Sequence, residues 1–343
     1  MKINIITFFW SNNLGALIQA NSLKSFIQKK SNQTVNFSSY SPKNLIIRER
    51  MSQINRKNFR VLHQVFLKKL KNFYWKKKIM KCDYPNQKNL IYDDDLYVYG
   101  SDEIWNYQNP FFGLDKFFFG KDNEKKKITY AVSTGNLDYK KDQTVENLKT
   151  YVKNFDEISV RDYESRKFVE YCSGKKPVIV MDPCFLTNLE ENIKINDNSK
   201  LEIQRFILIY GDYFNSNQIQ DIKKISRNNN WKIISVGFYN DWADKNIISV
   251  NPLDLIYFFI NSKLVFTSMF HGVMLSYKYK KQFWISEDPY RIKKLSFFID
   301  YLNLNNRYLE NIDNQQINYK KDENKFSEWL DLSKDFLHKH III

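Results

Sequence analysis

Short apolar runs alternate with amphipathic stretches along most of this chain of 343 residues. Each run has the length of a β-strand and ends in glycine or polar residues, after which apolar residues often recur at helical spacing. The runs are Ile3–Phe9, Leu96–Tyr99, Ile128–Val132, Ile158–Val160, Val178–Val180, Phe206–Tyr210, Trp231–Val236 and Leu264–Phe266. Strands that alternate with helices in this way predict an α/β protein with parallel sheets, in two units.

The hydrophilic stretch Leu189–Lys200 lies between two predicted strands and marks the boundary between the units. We predict an N-terminal Rossmann-like domain over residues 1–188 and a C-terminal one over residues 201–320. Residues 321–343 are predicted to form a C-terminal helix, which could pack back on the first domain. Ligands of such sheets bind outside the carboxyl ends of the strands, so we expect the domains to face each other across a central cleft.

The positive charge of the chain is concentrated in one segment. Its 53 Lys+Arg and 38 Asp+Glu give a net charge of +15, and residues 43–81 hold 13 cations and one acid. Apolar residues recur there at helical spacing, which predicts a basic helical insertion at about 43–81. Two interpretations stay open: docking onto anionic lipid headgroups or a polyanionic glycan, or an ordinary surface helix in a lysine-rich protein. No nucleic-acid-binding signature accompanies the charge, so we predict no nucleic acid partner.

Neither the N-terminus nor the cysteines indicate export. The apolar start of the chain turns polar after Trp10 with no cleavage site, and no run of about 18 uncharged apolar residues could span a bilayer. Three widely spaced cysteines favour reduced thiols over disulfides or zinc ligands. We therefore predict a cytoplasmic protein, peripheral at the inner face of the membrane if the basic helix binds lipid. Asp93–Asp95 precede their strand and are predicted to form a solvated turn, so we predict no metal site.

Polar residues that follow the predicted strands are candidates for chemistry. Asp102 and Glu103 come directly after Leu96–Tyr99, where adjacent carboxylates are well placed to transfer protons. The alternative is a structural role, in which Ser101 or Asp102 caps the N-terminus of a helix.

Arg161 ends the predicted strand Ile158–Val160 and could bind phosphate or carboxylate through two nitrogens. A surface ion pair with Asp162 or Glu164 is the alternative.

A histidine and a glycine open the helix after Leu264–Phe266. His271 lies at this strand-to-helix turn, and Gly272 would bring backbone N–H groups close to an anion. A hydrogen-bonded structural histidine would also fit. The chain contains no GxGxxG, P-loop or GxSxG motif, which removes the common dinucleotide, nucleoside triphosphate and hydrolase signatures.

Six segments, taken in order, resemble the polysaccharide pyruvyl transferase family. The segments are Ile5–Ala20, Gly100–Asn106, Tyr130–Gly135, Ile158–Asp162, Met181–Cys184 and Thr267–Gly272. Gly100–Asn106 is similar to the family's Gly-Ser-Asp-x-x-Trp-Asn signature, with Glu103 where glutamine is more familiar. The resemblance extends from Ile3 to about Leu309.

The resemblance implies two Rossmann-like domains of the glycosyltransferase-B type and a reaction with phosphoenolpyruvate. The enolpyruvyl group would move onto two hydroxyls of a sugar in a cell-surface or exopolysaccharide precursor, which could be lipid-linked. The products would be a cyclic pyruvate ketal and phosphate, with no metal or organic cofactor. Two other classes stay open: a glycosyltransferase of the same fold with a nucleotide-sugar donor, and a non-catalytic glycan- or membrane-docking module.

Roles for individual residues follow from the same resemblance. His271 would protonate or hydrogen-bond the departing phosphate, Asp102 would orient or deprotonate the acceptor, and Glu103 is the third predicted catalytic residue. Arg291 lies in Pro289–Leu295, which resembles the family's arginine-bearing segment; a plain surface cation is the alternative. The predicted donor-binding residues are Arg161, Arg291, Gly272 and Ser268, and the predicted acceptor-binding residues are Asn13, Gly15, Ser101 and Asn106.

Overall fold

The structure is a computed structural model that describes residues 1–40, 59–82, 93–110, 112–140, 142–192, 205–311 and 316–341. The first part of the predicted basic insertion, up to residue 58, and most of the predicted domain boundary lie outside the described residues. Two α/β domains with parallel sheets are present within them, as the sequence pattern predicts.

The N-terminal domain is built on a parallel sheet. Its strands are β1 (Lys2–Ile6), β2 (Thr34–Phe37), β3 (Leu96–Tyr99) and β4 (Lys126–Thr129), in the order β2-β1-β3-β4. A further parallel pair consists of β5 (Ser159–Val160) and β6 (Val178–Ile179). Isolated bridges from Ile128 to Glu157 and from Val132 to Val160 attach this pair beside β4. The sheet therefore continues across all six strands.

The C-terminal domain holds a second parallel sheet of five strands. The strands are β7 (Phe206–Tyr210), β8 (Lys232–Val236), β9 (Lys245–Ile247), β10 (Leu264–Thr267) and β11 (Gln282–Ile285). Their spatial order is β11-β10-β7-β8-β9. β7 lies in the middle and is buried along its whole length, as the uninterrupted apolar run predicts.

Nine α-helices connect or flank these strands in the part of the chain that the structure describes. They are α1 (Leu14–Ser31), α2 (Phe59–Trp75), α3 (Thr144–Lys153), α4 (Tyr163–Ser173), α5 (Ser216–Asn229), α6 (Pro252–Asn261), α7 (Phe270–Lys278), α8 (Ile292–Tyr301) and α9 (Glu323–Ile341). Local sequence explains several ends: the Asn13 side chain accepts a hydrogen bond from the Gly15 N–H (3.0 Å), and Asp162 caps α4 in the same way.

The helix α9 lies against the N-terminal domain. The indole Nε1 of Trp329 donates to the Ile179 carbonyl (2.9 Å), and the Ser333 hydroxyl accepts from the Met181 N–H (2.8 Å). Both contacts reach the strand β6 and the turn after it. The last helix of the chain therefore supports the segment that carries Asp182.

The first strand is shorter than its apolar run. β1 ends at Ile6, whereas the run continues to Phe9. Phe8, Phe9 and Trp10 are buried without belonging to the sheet, because the chain turns at Thr7 and packs these rings between loops. An apolar run indicates only that its residues are buried. Here Phe8, Phe9 and Trp10 are buried by packing between loops and not by pairing in the sheet.

None of the helices in the described ranges is long and apolar enough to cross a membrane.

Candidate active site

A cavity of about 290 Å³ lies between the two domains. Its walls are the loops that follow β1, β3, β5, β10 and β11, so the carboxyl ends of strands from both sheets meet there. Its polar lining includes Asn13, Asp102, Glu103, Arg161, His271, Tyr290, Arg291 and Lys294. Six of the eleven residues predicted from the sequence are among them. The predicted central cleft is present.

A buried ion-pair network centres on Arg161. Its Nη2 lies 3.2 Å from Asp102 Oδ1 and its Nη1 lies 3.0 Å from Asp182 Oδ2, while its side chain is only 2% exposed. The ring of Phe270 lies under the guanidinium, with 4.3 Å between Cζ and the ring centroid. The surface ion pair considered for Arg161 is absent, because Asp162 is occupied in capping α4. Arg161 thus ties the loops after β3, β5 and β6 together.

The network shifts the proton affinities of its members. Burial acts to lower the pKa of Arg161, but the carboxylates of Asp102 and Asp182 more than offset it and raise that pKa. Burial acts to raise the pKa of Asp182, yet His271 and Arg161 hold it well below its usual range. Asp182 is therefore a permanent anion behind the cavity.

His271 bridges the two domains at the first turn of α7. Its Nε2 lies 3.6 Å from Asp182 Oδ2, beyond hydrogen-bond distance, and has no hydrogen-bond partner among the described residues. The ring lies directly against Gly15 of α1, where a Cβ atom would overlap Nδ1. The imidazole is thus held by shape at the cavity wall, with Nδ1 against Gly15 and Nε2 toward Asp182.

Three helices begin at the cavity. Asn13 and Ala16 line it at the start of α1, His271 at the start of α7, and Arg291 and Lys294 at the start of α8. None of the three first turns contains an acidic residue. Helix N-termini carry partial positive charge and bind anions. The cations Arg161, Arg291 and Lys294 also line the cavity, and each is ion-paired with a carboxylate; Arg291 pairs with Asp288.

Glu103 connects the loop after β3 to the C-terminal domain. Lys294 Nζ lies 3.0 Å from Glu103 Oε1, and the Tyr290 hydroxyl donates to Glu103 Oε2 (3.3 Å). The side-chain amides of Asn106 and Asn109 both donate to the Tyr290 oxygen (3.2 Å each). Burial, followed by the charge of Glu103, raises the pKa of Tyr290, so the phenol stays protonated. These contacts hold α8 against the loop after β3.

Asp102 has a backbone conformation that is unusual for a residue other than glycine. Its φ angle is +78°, and its Oδ1 accepts from the Glu103 N–H (2.8 Å) as well as from Arg161. Such conformations occur most often at functional sites. No helix follows Asp102, so the capping alternative does not apply.

Five of the predicted site residues lie behind the cavity wall. They are Gly15, Ser101, Asn106, Ser268 and Gly272. Ser101 Oγ donates to the side chain of Gln19, and Ser268 Oγ accepts from the Tyr213 N–H (3.3 Å). A Cβ atom at Gly272 would overlap the Thr267 hydroxyl, so glycine permits the close approach of α7 to β10. These contacts are with protein groups; direct contact with either substrate stays a prediction.

Sequence reasoning missed three contributors to the site. The sequence marks Asp182 only as part of the segment Met181–Cys184, and Tyr290 and Lys294 only as part of Pro289–Leu295. The signal for Asp182 was available: it follows a strand, β6, as Asp102 and Arg161 follow theirs. No local signal identifies Tyr290 and Lys294, because their partners lie in the other domain.

An aromatic wall faces the charged groups. Phe8 contacts Phe112 and Trp10, with ring centroids 5.1 and 6.0 Å apart, and all three line the cavity. The indole Nε1 of Trp10 is buried without a hydrogen-bond partner in the described part of the chain.

No group of three or more His, Cys, Asp or Glu side chains that could hold a metal ion occurs among the described residues. That the reaction needs no metal stays a prediction.

Two solved structures show the same fold. The S. aureus MnaA–UDP co-structure is 11% identical, has a TM-score of 0.50, and aligns over 97% of this chain and 90% of its own. UDP-GlcNAc 2-epimerase from Neisseria meningitidis bound to UDP-GlcNAc is 11% identical, has a TM-score of 0.52, and aligns over 97% and 94%. This likeness identifies two Rossmann-like domains of the glycosyltransferase-B type.

No curated protein matches the sequence. The family model described as "Polysaccharide pyruvyl transferase" matches residues 13–285, which is well over half of the chain. The match includes Asp102, Arg161 and His271 and ends before the cavity residues Tyr290, Arg291 and Lys294. The chain therefore belongs to the polysaccharide pyruvyl transferase family, a family of transferases.

Proposed function

We propose that this protein transfers the enolpyruvyl group of phosphoenolpyruvate onto two hydroxyls of a sugar in a polysaccharide precursor. The observation that carries the proposal is the composition of the cavity wall: an imidazole, three helix N-termini and three cations, each cation paired with at least one carboxylate. Phosphoenolpyruvate is a small anion with a carboxylate and a phosphate, which suits such a site. The volume of about 290 Å³ is at the lower end of the usual range of about 300–1,000 Å³ for ligand sites.

The balance of protons explains why the site needs both a base and an acid. Addition of a proton to the methylene carbon of the donor makes a methyl group and an electron-poor central carbon. The first sugar hydroxyl forms a C–O bond to that carbon, the C–O bond to phosphate breaks, and the second hydroxyl closes the ketal. The two hydroxyls lose two protons; one ends on the methyl carbon and one on phosphate.

The residues of the cavity match these requirements. His271 can give a proton to the departing phosphate, and the Asp182 carboxylate 3.6 Å from its Nε2 stabilises the ring while it carries that proton. Asp102 can accept a proton from the acceptor through Oδ2, because its Oδ1 is occupied by Arg161 and the Glu103 N–H. Glu103 holds Lys294 and Tyr290 at the cavity and is assigned a positioning role.

The aromatic wall supports a sugar as the second substrate. Phe8, Trp10 and Phe112 form an apolar surface of mutually tilted rings that can pack against the C–H groups of a sugar. The wall belongs to the N-terminal domain. The acceptor would therefore lie on that side of the cavity and the donor beside α7 and α8.

A nucleotide-sugar donor is the second candidate, because both structural neighbours described above hold UDP or UDP-GlcNAc. The small cavity favours the three-carbon donor.

Ligand-dependent thermal stability separates the two donors, since a ligand that binds the folded state stabilises it by RT ln(1 + [L]/Kd). We expect a rise in melting temperature with phosphoenolpyruvate and none with UDP-sugars, followed by phosphate release when a glycan acceptor is added. A rise with UDP-sugars alone would replace the proposal by glycosyl transfer.

Replacement of Gly15, which lies behind the cavity wall and against the imidazole, tests the position of His271. We expect Gly15→Ala to lower kcat about 100-fold with little change in folding, because the new methyl group must push the imidazole out of place. Steady-state phosphate release measures the effect, and circular dichroism checks the fold.

A double variant provides the control. If Gly15→Ala acts only through the imidazole, it has no further effect in a His271→Ala background. Equal fold losses in both backgrounds would show that Gly15 acts elsewhere.

A further inference from the structure

The helix α2 has an exposed apolar stripe. Phe66, Leu70, Phe73 and Tyr74 recur at intervals of three and four residues and are 59%, 39%, 46% and 67% exposed. Four of the nine exposed large hydrophobic residues in the described part of the chain belong to this one helix. Exposed apolar patches of this kind mark interaction surfaces. We call these four residues the apolar stripe.

Lysines surround the apolar stripe, and acids are absent from its neighbourhood in sequence. Lys69 and Lys78 flank it on the helix and on the π-helical turn that follows, and residues 59–82 contain eight Lys or Arg and no Asp or Glu. An amphipathic helix with aromatic residues on one side and lysines beside them is typical of proteins that lie on anionic membranes.

The opposite side of α2 is fixed to both domains. Lys76 Nζ donates to the Trp10 carbonyl of the N-terminal domain (2.6 Å). Gln64 accepts from the Ile248 N–H (3.0 Å), and Lys71 donates to the Ser249 carbonyl (2.8 Å), both in the C-terminal domain. Trp10 lines the catalytic cavity, so the helix crosses both domains next to the site.

We propose that the apolar stripe and its lysines dock the protein onto an anionic lipid bilayer. Because the turn after α2 contacts Trp10 of the cavity wall, docking would hold the site close to the membrane, where a lipid-linked acceptor is presented. Docking itself does not depend on the donor; only the lipid-linked acceptor rests on the proposed function.

Charge and chemistry favour a bilayer over other occupants. Pairing of two copies through the apolar stripe would bring like-charged lysines together, which opposes association. A polyanionic glycan would engage the lysines but leave Phe66, Leu70 and Phe73 in water. The boundary between headgroups and acyl chains accommodates both features.

Sedimentation of the full-length protein with vesicles tests the proposal. We expect binding to phosphatidylcholine vesicles that contain phosphatidylglycerol, weakening with added salt, and no binding to phosphatidylcholine alone. Phe66→Ser/Phe73→Ser and Lys69→Glu/Lys78→Glu should each lower the partition coefficient by at least about tenfold.

Matched variants on other surfaces act as controls. Leu114→Ser/Leu332→Ser removes two apolar residues that are 42% and 47% exposed, and Lys223→Glu/Lys224→Glu reverses two exposed charges on α5. Both should bind vesicles like the wild type, although the second changes net charge as much as Lys69→Glu/Lys78→Glu.

Several results would overturn the proposal. The first is that the wild type does not bind vesicles. The second is that Phe66→Ser/Phe73→Ser binds them as strongly as the wild type. The third is that the two charge-reversal variants lose equal amounts of vesicle binding. A concentration-dependent dimer that Phe66→Ser/Phe73→Ser abolishes would assign the apolar stripe to self-association. Activity on a free glycan acceptor should be unchanged in all four variants, so failure of docking and failure of pyruvyl transfer are separate outcomes.

Discussion

We expect His271→Ala to lower the kcat of pyruvyl transfer by about 10²–10⁴, the usual contribution of a positioned acid or base. Among the described residues that line the cavity, His271 is the one histidine, and its buried Nε2 has no hydrogen-bond partner there. The fold should persist, because Asp182 keeps its ion pair with Arg161 when the imidazole is removed. Phosphate release at saturating phosphoenolpyruvate and acceptor gives the rate, and a thermal melt reports folding.

Two variants sharpen this experiment. His271→Asn keeps a polar side chain of similar reach but cannot carry the proton, and it should be nearly as slow as His271→Ala. His338→Ala removes an imidazole on α9 that packs 6.0 Å from the ring of Phe26, away from the cavity, and should leave kcat unchanged. Turnover near the wild-type rate in a folded His271→Ala protein would remove His271 from the mechanism.

Apolar runs predicted the strands well where both faces of the sheet are covered. β3 and β7 begin and end at the predicted residues, because fully buried parallel strands are apolar throughout and polar where they stop. The carboxyl ends of parallel strands lie at one edge of each sheet, and ligands bind there. These edges of the two sheets meet at the cavity, where Asp102, Arg161 and His271 lie together. The prediction failed at β1, where apolar residues continue into a loop that is itself buried.

The rest of the site depends on contacts between distant segments. Asp182 is 21 positions from Arg161 and on another strand end, so its pairing appears only once β5 and β6 are adjacent. Glu103 could be assigned to catalysis from sequence, but its partner Lys294 comes from α8 of the other domain. Local patterns carry no information on how two domains face each other, and these contacts follow from that arrangement.

The largest effect on stability is expected from Arg161→Met. Methionine approximates the length of the arginine stem but leaves the carboxylates of Asp102 and Asp182 without their cation in a buried site. Removal of one partner from a buried ion pair costs about 3–5 kcal/mol. Urea unfolding at pH 7, monitored by tryptophan fluorescence, would show this loss as a lower midpoint.

The loss of stability in Arg161→Met should be larger near neutral pH than in acid. In the wild type the pKa of Asp182 is depressed, so its contribution to stability is present above the unfolded pKa of about 3.9 and fades as pH falls through the folded value. In Arg161→Met, loss of the guanidinium lets burial raise the pKa of Asp182, which destabilises the folded state increasingly as pH rises from the unfolded value of about 3.9 to the raised value. The difference between the two proteins should therefore be largest near neutral pH and shrink as pH is lowered.

Neutralisation of the stranded carboxylates isolates the cause. Asp102→Asn and Asp182→Asn, added to Arg161→Met, remove both uncompensated charges and should restore part of the urea midpoint and abolish its extra pH dependence. Arg227→Met, at an exposed position on α5, is the matched control and should change neither. A deficit in Arg161→Met that is constant with pH would mean that lost packing against Phe270, rather than unpaired charge, destabilises the protein.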